Sequence, residues 1–140
     1  MQTANFSHVE NILWQLLSLD EKTFDRLSAM DSNDKESMRG IFLAHLGPIY
    51  GRLPPHGKSK LKHSLRYFLN VRTETPSRLL SEMQDLPLNS ANPYPALEAL
   101  WEAFFPGEEY KLVNVDGYIE KNDDNGNEIF APDESRPRSP

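Results

Sequence analysis

Apolar residues recur with the period of an α-helix through the first part of the chain. A stripe begins at Val9 and continues at the i+3, i+4, i+7 and i+8 positions, and Ser7 with Glu10 has the spacing of a capping box. Ser18 with Glu21 repeats that spacing where the stripe ends. We therefore predict two consecutive helices, the first opening at Ser7 and the second at Ser18, joined at a sharp angle.

Four more helices are predicted between residues 33 and 106. Glycine and proline mark their limits, because glycine suits the position after a helix and proline suits its first turn but not its interior. The predicted limits are Asn33 to Gly47-Pro48, residues 58–71, a start at Thr75-Pro76, and Pro95 to Pro106-Gly107. The stretch 47–57 is predicted to be a loop. Trp101 lies on the bulky apolar stripe of the last helix, and we expect it in the core.

The pattern changes after residue 107. Short runs rich in Tyr, Val and Ile are separated by Asp116-Gly117 and Asn125-Gly126, which are strong signals for two-residue hairpin turns. Residues 110–131 are therefore predicted to form a small antiparallel meander. The last residues, 132–140, are polar and rich in proline, a composition typical of disorder.

Together these patterns predict a mainly α fold of the α+β class. It consists of a compact bundle of about five to six short helices followed by a small C-terminal antiparallel β-meander or hairpin. We predict a single globular domain over residues 1–131, with the helices in 1–106 and the hairpin in 107–131, and a disordered tail over 132–140.

Composition narrows the cellular setting. The chain has 140 residues and no cysteine, which excludes disulfides, thiolate metal sites and cysteine nucleophiles. It has no apolar run long enough to span a bilayer and no basic-then-apolar start typical of a secretory signal. We therefore expect a soluble, cytoplasmic protein with no membrane partner.

Charge is distributed unevenly along the chain. The formal net charge is −6, yet residues 51–72 carry six Lys or Arg side chains and no acidic one. A block of this kind determines what the surface attracts rather than how the chain folds. It is the first candidate for a binding surface.

Two motif fragments in the chain do not complete a site. Gly57-Lys58-Ser59 has the end of a phosphate-binding loop, but five residues rather than four separate it from Gly51, and two of them are prolines. The acidic run 122–128 is reminiscent of a calcium loop, yet Lys121 and Pro132 fall where oxygen ligands are needed. A decorated turn is the better interpretation of the acidic run.

The histidines do not complete a site either. His45 falls on an apolar stripe, and His56 and His63 have no carboxylate at ligand spacing, whereas zinc needs three or four ligands. No nucleophile elbow of the G-x-S-x-G type is present. We therefore predict no catalytic, cofactor-binding or metal-binding residues, and no enzyme activity.

Two surfaces remain as candidates for binding. Placed on a helix, the basic segment forms a ridge that suits phosphates or an acidic protein, or else is solvated or paired with acidic residues of the same chain. Trp14 lies off the centre of its stripe, and tryptophan is enriched at interface hot spots. The predicted partner- or phosphate-binding residues are Arg52, Lys58, Lys60, Lys62, His63, Arg66 and Trp14.

The leading hypothesis is a small soluble non-catalytic interaction module, that is, a subunit, an adaptor or an inhibitor of the immunity type. It would act by binding another protein. The alternative is a nucleic-acid-associated regulator that binds phosphates through the basic helix 58–72.

Overall fold

Helices form most of the secondary structure. The computed structural model describes residues 2–30, 34–83, 85–89, 91–123 and 126–131. The α-helices among these residues are α1 (Phe6–Leu13), α2 (Glu21–Ser28), α3 (Lys35–His45), α4 (Gly47–Gly51), α5 (Pro55–Val71), α6 (Thr75–Ser81) and α7 (Tyr94–Phe104). Over the same residues the chain also forms the 3₁₀ helices Trp14–Ser18 and Gly126–Phe130, and the strands β1 (Gln2–Ala4) and β2 (Tyr118–Glu120). The prediction of a mainly helical fold is confirmed.

The first two helices are capped by other residues than predicted. The side chain of Asn5 accepts a hydrogen bond from the Ser7 amide at 3.0 Å, and Asp20 accepts one from the Thr23 amide at 3.0 Å. The predicted caps at Ser7 and Ser18 are therefore wrong. Asn and Asp cap helices as well as Ser does, and here Asn5 lies two residues before Ser7 and Asp20 two residues after Ser18.

Proline residues mark where the later helices begin. Pro48 opens the short helix α4 inside the predicted loop, and Pro55 opens α5 three residues before its predicted start, so both of those limits are corrected. The predicted starts at Thr75-Pro76 and Pro95 agree with α6 and α7 to within one residue. Gly107, at φ 80°, provides the left-handed residue just after α7 ends.

The predicted antiparallel meander is wrong. β2 pairs in parallel with β1, in the register Gln2 with Tyr118, Thr3 with Ile119 and Ala4 with Glu120. The turn at Asp116-Gly117 leads into β2 instead of folding the chain back on itself, because the N-terminal strand is the partner available on α5. Of the second predicted turn, Asn125 lies outside the described residues and Gly126 begins a 3₁₀ helix. The predicted tail 132–140 also lies outside the described residues.

The hydrophobic core lies between α3 and α7 on one side and α1, α5 and β1 on the other. Phe6 and Phe68 meet edge to face in it, with ring centroids 5.2 Å apart. Trp101 is 2% exposed, which confirms its predicted place in the core. No helix in the described part of the chain is long and apolar enough to cross a bilayer.

Candidate binding surfaces

Three cations on α5 lie against aromatic rings from elsewhere in the fold. Lys58, Lys62 and Arg66 are four residues apart, which places them on one side of the helix. The distances from cation to ring centroid are 5.6 Å for Lys58 to Tyr50, 5.0 Å for Lys62 to Phe105 and 5.1 Å for Arg66 to Trp101. We call these six residues the cation–aromatic seam. Each such contact contributes about 0.5–2 kcal/mol, depending on how far it is desolvated.

Carboxylates of the same chain neutralise further charge on the basic segment. The ion pairs are Lys60–Glu128 at 3.3 Å, Lys62–Glu108 at 2.7 Å and Arg72–Glu98 at 2.9 Å. Each pair is partly exposed, so each adds little stability. The pairs do, however, reduce the positive charge that the segment offers to an outside partner.

The guanidinium group of Arg66 lies over the Trp101 ring. Its Nε atom is buried without a hydrogen-bond partner among the described residues. The indole Nε1–H of Trp101 donates to the carbonyl oxygen of Glu108 at 2.7 Å, which fixes the ring that Arg66 covers. The guanidinium group therefore covers the ring of a buried tryptophan.

His63 lies on the other flank of α5. Its Nδ1 is 3.3 Å from the hydroxyl oxygen of Tyr118. Burial, followed by the charges of Arg66 and Lys62, lowers its pKa below the ordinary value. The ring is therefore neutral near neutral pH and adds no positive charge to the segment.

The residues predicted to bind a partner or phosphate are distributed over separate surfaces. Lys58, Lys62 and Arg66 lie on the cation–aromatic seam, Lys60 and His63 line a polar cavity, Arg52 is exposed after α4, and Trp14 begins the first 3₁₀ helix. Arg52 forms no ion pair with any residue that the structure describes. The role of all these residues in binding stays a prediction.

The first 3₁₀ helix presents two apolar side chains to solvent. In a 3₁₀ helix, residues three apart lie on the same side, and Trp14 and Leu17 are 38% and 41% exposed. His45 forms hydrogen bonds with this helix. Its Nε2 is 3.0 Å from the Gln15 carbonyl oxygen and 2.8 Å from the Ser18 hydroxyl oxygen. Trp14 is thus partly exposed and lies outside the core.

A groove runs between α2 and α3. It has a volume of about 470 Å³. Its apolar lining comes from Leu19, Met30, Ile41 and Ala44, and Gly40 leaves open space at its edge. On the adjoining face of α3, Leu43 is 56% exposed. The rest of the lining is polar or charged and comes from Asp20, Thr23, Arg26, Ser37 and His45. The groove is thus of mixed character, with apolar side chains beside polar ones.

Buried His8 lies at the centre of a hydrogen-bond network between α1, α5 and the second 3₁₀ helix. Its Nδ1 is 3.0 Å from the hydroxyl oxygen of Ser64, and its Nε2 is 2.6 Å from Oε1 of Glu128. Ser64 also accepts from the amide of Asn5 at 3.0 Å. Neutral His8 with its proton on Nε2 satisfies every one of these groups, since Ser64 then donates to Nδ1 and Nε2 donates to Glu128.

The ionisation of this network follows from its surroundings. Burial lowers the pKa of His8 below its ordinary value, although the hydrogen bond to Glu128 opposes the shift. Burial raises the pKa of Glu128, but hydrogen bonds and charges from His8 and Lys60 outweigh it and bring the pKa below its ordinary value. Ser64 is fully buried, so this Ser–His–Glu arrangement lacks a nucleophile that a substrate could reach.

Sequence reasoning missed both the His8 network and the α2–α3 groove. The partners of His8 are 56 and 120 residues away, and no spacing pattern connects them. Gly40 and Ala44, however, lie four residues apart on the side of α3 opposite its apolar stripe. Two small residues on one side of a helix could have indicated the groove.

No external likeness adds to this geometry. Among the described residues, no group of three His, Asp or Glu side chains could hold a metal ion. No protein-family model, curated protein or solved structure matches this chain.

Proposed function

We propose that this chain is a non-catalytic protein-interaction module that binds another protein through the α2–α3 groove and the exposed face of α3. In this proposal it is a subunit, adaptor or inhibitor that acts in the cytoplasm. The observation that carries the proposal is an open groove that has apolar side chains among polar ones in its lining, next to a leucine that is 56% exposed on α3, Leu43. Protein-binding sites combine apolar side chains with polar groups around them.

The shape and charge of the surface define the partner's chemistry. A groove between two helices suits the apolar side of a partner helix, and Gly40 lets that helix approach the backbone of α3 closely. The chain has a net charge of −6, and several of its cations are paired internally. We therefore propose a partner surface with an apolar centre and a basic rim, since complementary charge speeds association and selects partners.

The nucleic-acid alternative has less support. Three cations of the basic segment each form an ion pair with a carboxylate of this chain, namely Lys60, Lys62 and Arg72. In the cation–aromatic seam, the cations Lys58, Lys62 and Arg66 lie against aromatic rings. Exposed Arg52 is the observation in its favour, because a cation without an ion pair is available to a phosphate.

Ala44→Lys tests the proposal directly. Ala44 is exposed on α3, and lysine is a good helix former, so the variant should stay folded. A lysine there places charge in the groove and repels a basic rim. Val113→Lys is the matched control, because it also replaces an exposed apolar residue with lysine but lies outside the groove.

The measurement is affinity isolation with and without nuclease treatment, followed by the dissociation constant of the recovered protein with each purified variant. We expect binding by the unmodified chain and by Val113→Lys, and its loss with Ala44→Lys. Equal binding by all three would overturn the groove assignment. Recovery that depends on intact nucleic acid would favour the alternative.

A further inference from the structure

A polar cavity opens between β1, α5 and the segment that follows β2. Its volume is about 390 Å³, within the range of small-molecule sites. Thr3, Ser59, Lys60, His63 and Lys121 contribute to its lining, and the His8–Glu128 pair forms part of its wall. The proposed function does not use this cavity.

The wall of the cavity is built before any ligand arrives. The backbone amide of Asn5 donates to Ser64, Ser64 bonds to His8, and His8 bonds to Glu128. The wall therefore connects three separate segments of the chain, namely α1 with its N-cap, α5 and the second 3₁₀ helix. Backbone pairing also places Lys121, whose amide donates to the carbonyl oxygen of Ala4 at 2.9 Å and extends the strand pair by one residue. A site with fixed walls loses little entropy on binding.

The acceptors in the cavity already have donors. Both oxygens of Glu128 are engaged, by His8 at 2.6 Å and by Lys60 at 3.3 Å. Asp123 accepts from Nδ2 of Asn5 at 2.7 Å. Each carboxylate of the cavity therefore already accepts at least one hydrogen bond from the protein, and Lys60 also offsets the charge of Glu128.

The donors, in contrast, are in excess. Lys121 is exposed and forms no ion pair with any residue in the described ranges. Lys60 uses one of three N–H groups on Glu128, and His63 bonds to Tyr118 through Nδ1, which leaves Nε2 for a ligand. The hydroxyl of Ser59 is a further donor at the exposed edge.

We infer that this cavity binds a small oxyanion, a carboxylate or phosphate group carried by a metabolite, between Lys121, Lys60 and His63. An oxyanion is an acceptor without donors, so it complements a cavity whose acceptors are occupied and whose donors are free. Ser59 and Thr3 also line the cavity, and their hydroxyl groups are further hydrogen-bond donors.

Titration of the purified chain with inorganic phosphate and, separately, with succinate tests this inference. Calorimetry gives the dissociation constant, and a rise in melting temperature with ligand concentration gives an independent measure of binding to the folded state. We expect millimolar or tighter binding of at least one probe at near-physiological salt. Binding of phosphate alone would identify a phosphate ligand, and binding of succinate alone a carboxylate ligand.

Lys121→Gln removes the cation that has no carboxylate partner, and it should weaken binding about tenfold, the loss of one charge-assisted hydrogen bond. Lys111→Gln is the matched control, since Lys111 is also an exposed lysine but lies outside the cavity. Both side chains are exposed, so both variants should keep the melting temperature of the unmodified chain. The inference would be overturned if neither phosphate nor succinate bound, or if both variants lost binding equally.

Discussion

Arg66 covers the indole ring of Trp101, with 5.1 Å between its guanidinium carbon and the ring centroid. Lys62 and Lys58 repeat the relationship on Phe105 and Tyr50, one and two turns earlier on α5. The most basic segment of the chain is thus packed along one flank against aromatic rings. These cations therefore stabilise the contacts of α5 with α4 and with the end of α7.

Trp101→Ala should destabilise the chain strongly. The ring is 2% exposed, and truncation of a buried aromatic side chain costs about 3–5 kcal/mol through lost burial and the cavity left behind. Trp14→Ala is the matched control, because Trp14 is 38% exposed and should cost well under half as much. Urea denaturation of both variants measures the difference. Equal losses would mean that Trp14 is as much a core residue as Trp101.

The pair Lys62–Glu108 should behave as a weak but specific ion pair. Lys62→Glu places two carboxylates together, and we expect a loss of about 1 kcal/mol, near the upper end for partly exposed pairs. Glu108→Lys in the same chain restores opposite charges and should recover part of the loss. A double-mutant cycle in urea at low and high salt measures the coupling. A coupling that is zero, or that does not fall with salt, would contradict this assignment.

Local features of the fold could be predicted from the sequence. Pro76 and Pro95 indicated where α6 and α7 begin, because proline favours the first turn of a helix wherever the rest of the chain lies. Asp116-Gly117 shows the limit of such signals. It does form a turn, but the partner of the strand that follows is Gln2–Ala4 at the other end of the chain.

For the candidate surfaces too, the local pattern could be predicted and the long-range contacts could not. The spacing of Lys58, Lys62 and Arg66 was visible as one side of a helix, but the rings that they contact come from α4 and from α7 with the residue after it. His8 was one of four histidines with no local distinction. Its role depends on tertiary contacts with Ser64 and Glu128, which no periodicity encodes.

Acid should destabilise the chain through His8. Its folded pKa lies below the ordinary value near 6.5, mainly because of burial, while Glu128 and Asp123 oppose the shift and Lys60 adds to it. The unfolded chain therefore takes up the proton first as the pH falls. The contribution of neutral His8 is full above about pH 6.5 and declines below it, by at most about 1.4 kcal/mol per pH unit for one proton.

The comparison of the unmodified chain with His8→Gln checks this sign. The glutamine amide removes the titration, so the free energy of unfolding should fall less steeply between about pH 7 and 5 in the variant. His63 also has a lowered pKa and leaves a residual slope of the same sign. A variant with the unmodified slope would assign the acid sensitivity to His63 rather than to His8.

Two glycines in helices should respond in opposite directions to the same substitution. Gly57 lies in the first turn of α5, and a Cβ there would overlap the carbonyl group of Ile129, with its carbonyl carbon 2.8 Å away. Gly57→Ala must therefore push the second 3₁₀ helix away from α5, at a cost of about 1–3 kcal/mol.

Gly40 is also helical but has nothing within 4 Å of a Cβ, so Gly40→Ala should raise the free energy of unfolding by up to about 1 kcal/mol. Urea midpoints of the two variants measure the signs, and amide hydrogen exchange over residues 126–131 should quicken in Gly57→Ala alone. Stabilisation by both substitutions would show that the second 3₁₀ helix does not pack closely on α5.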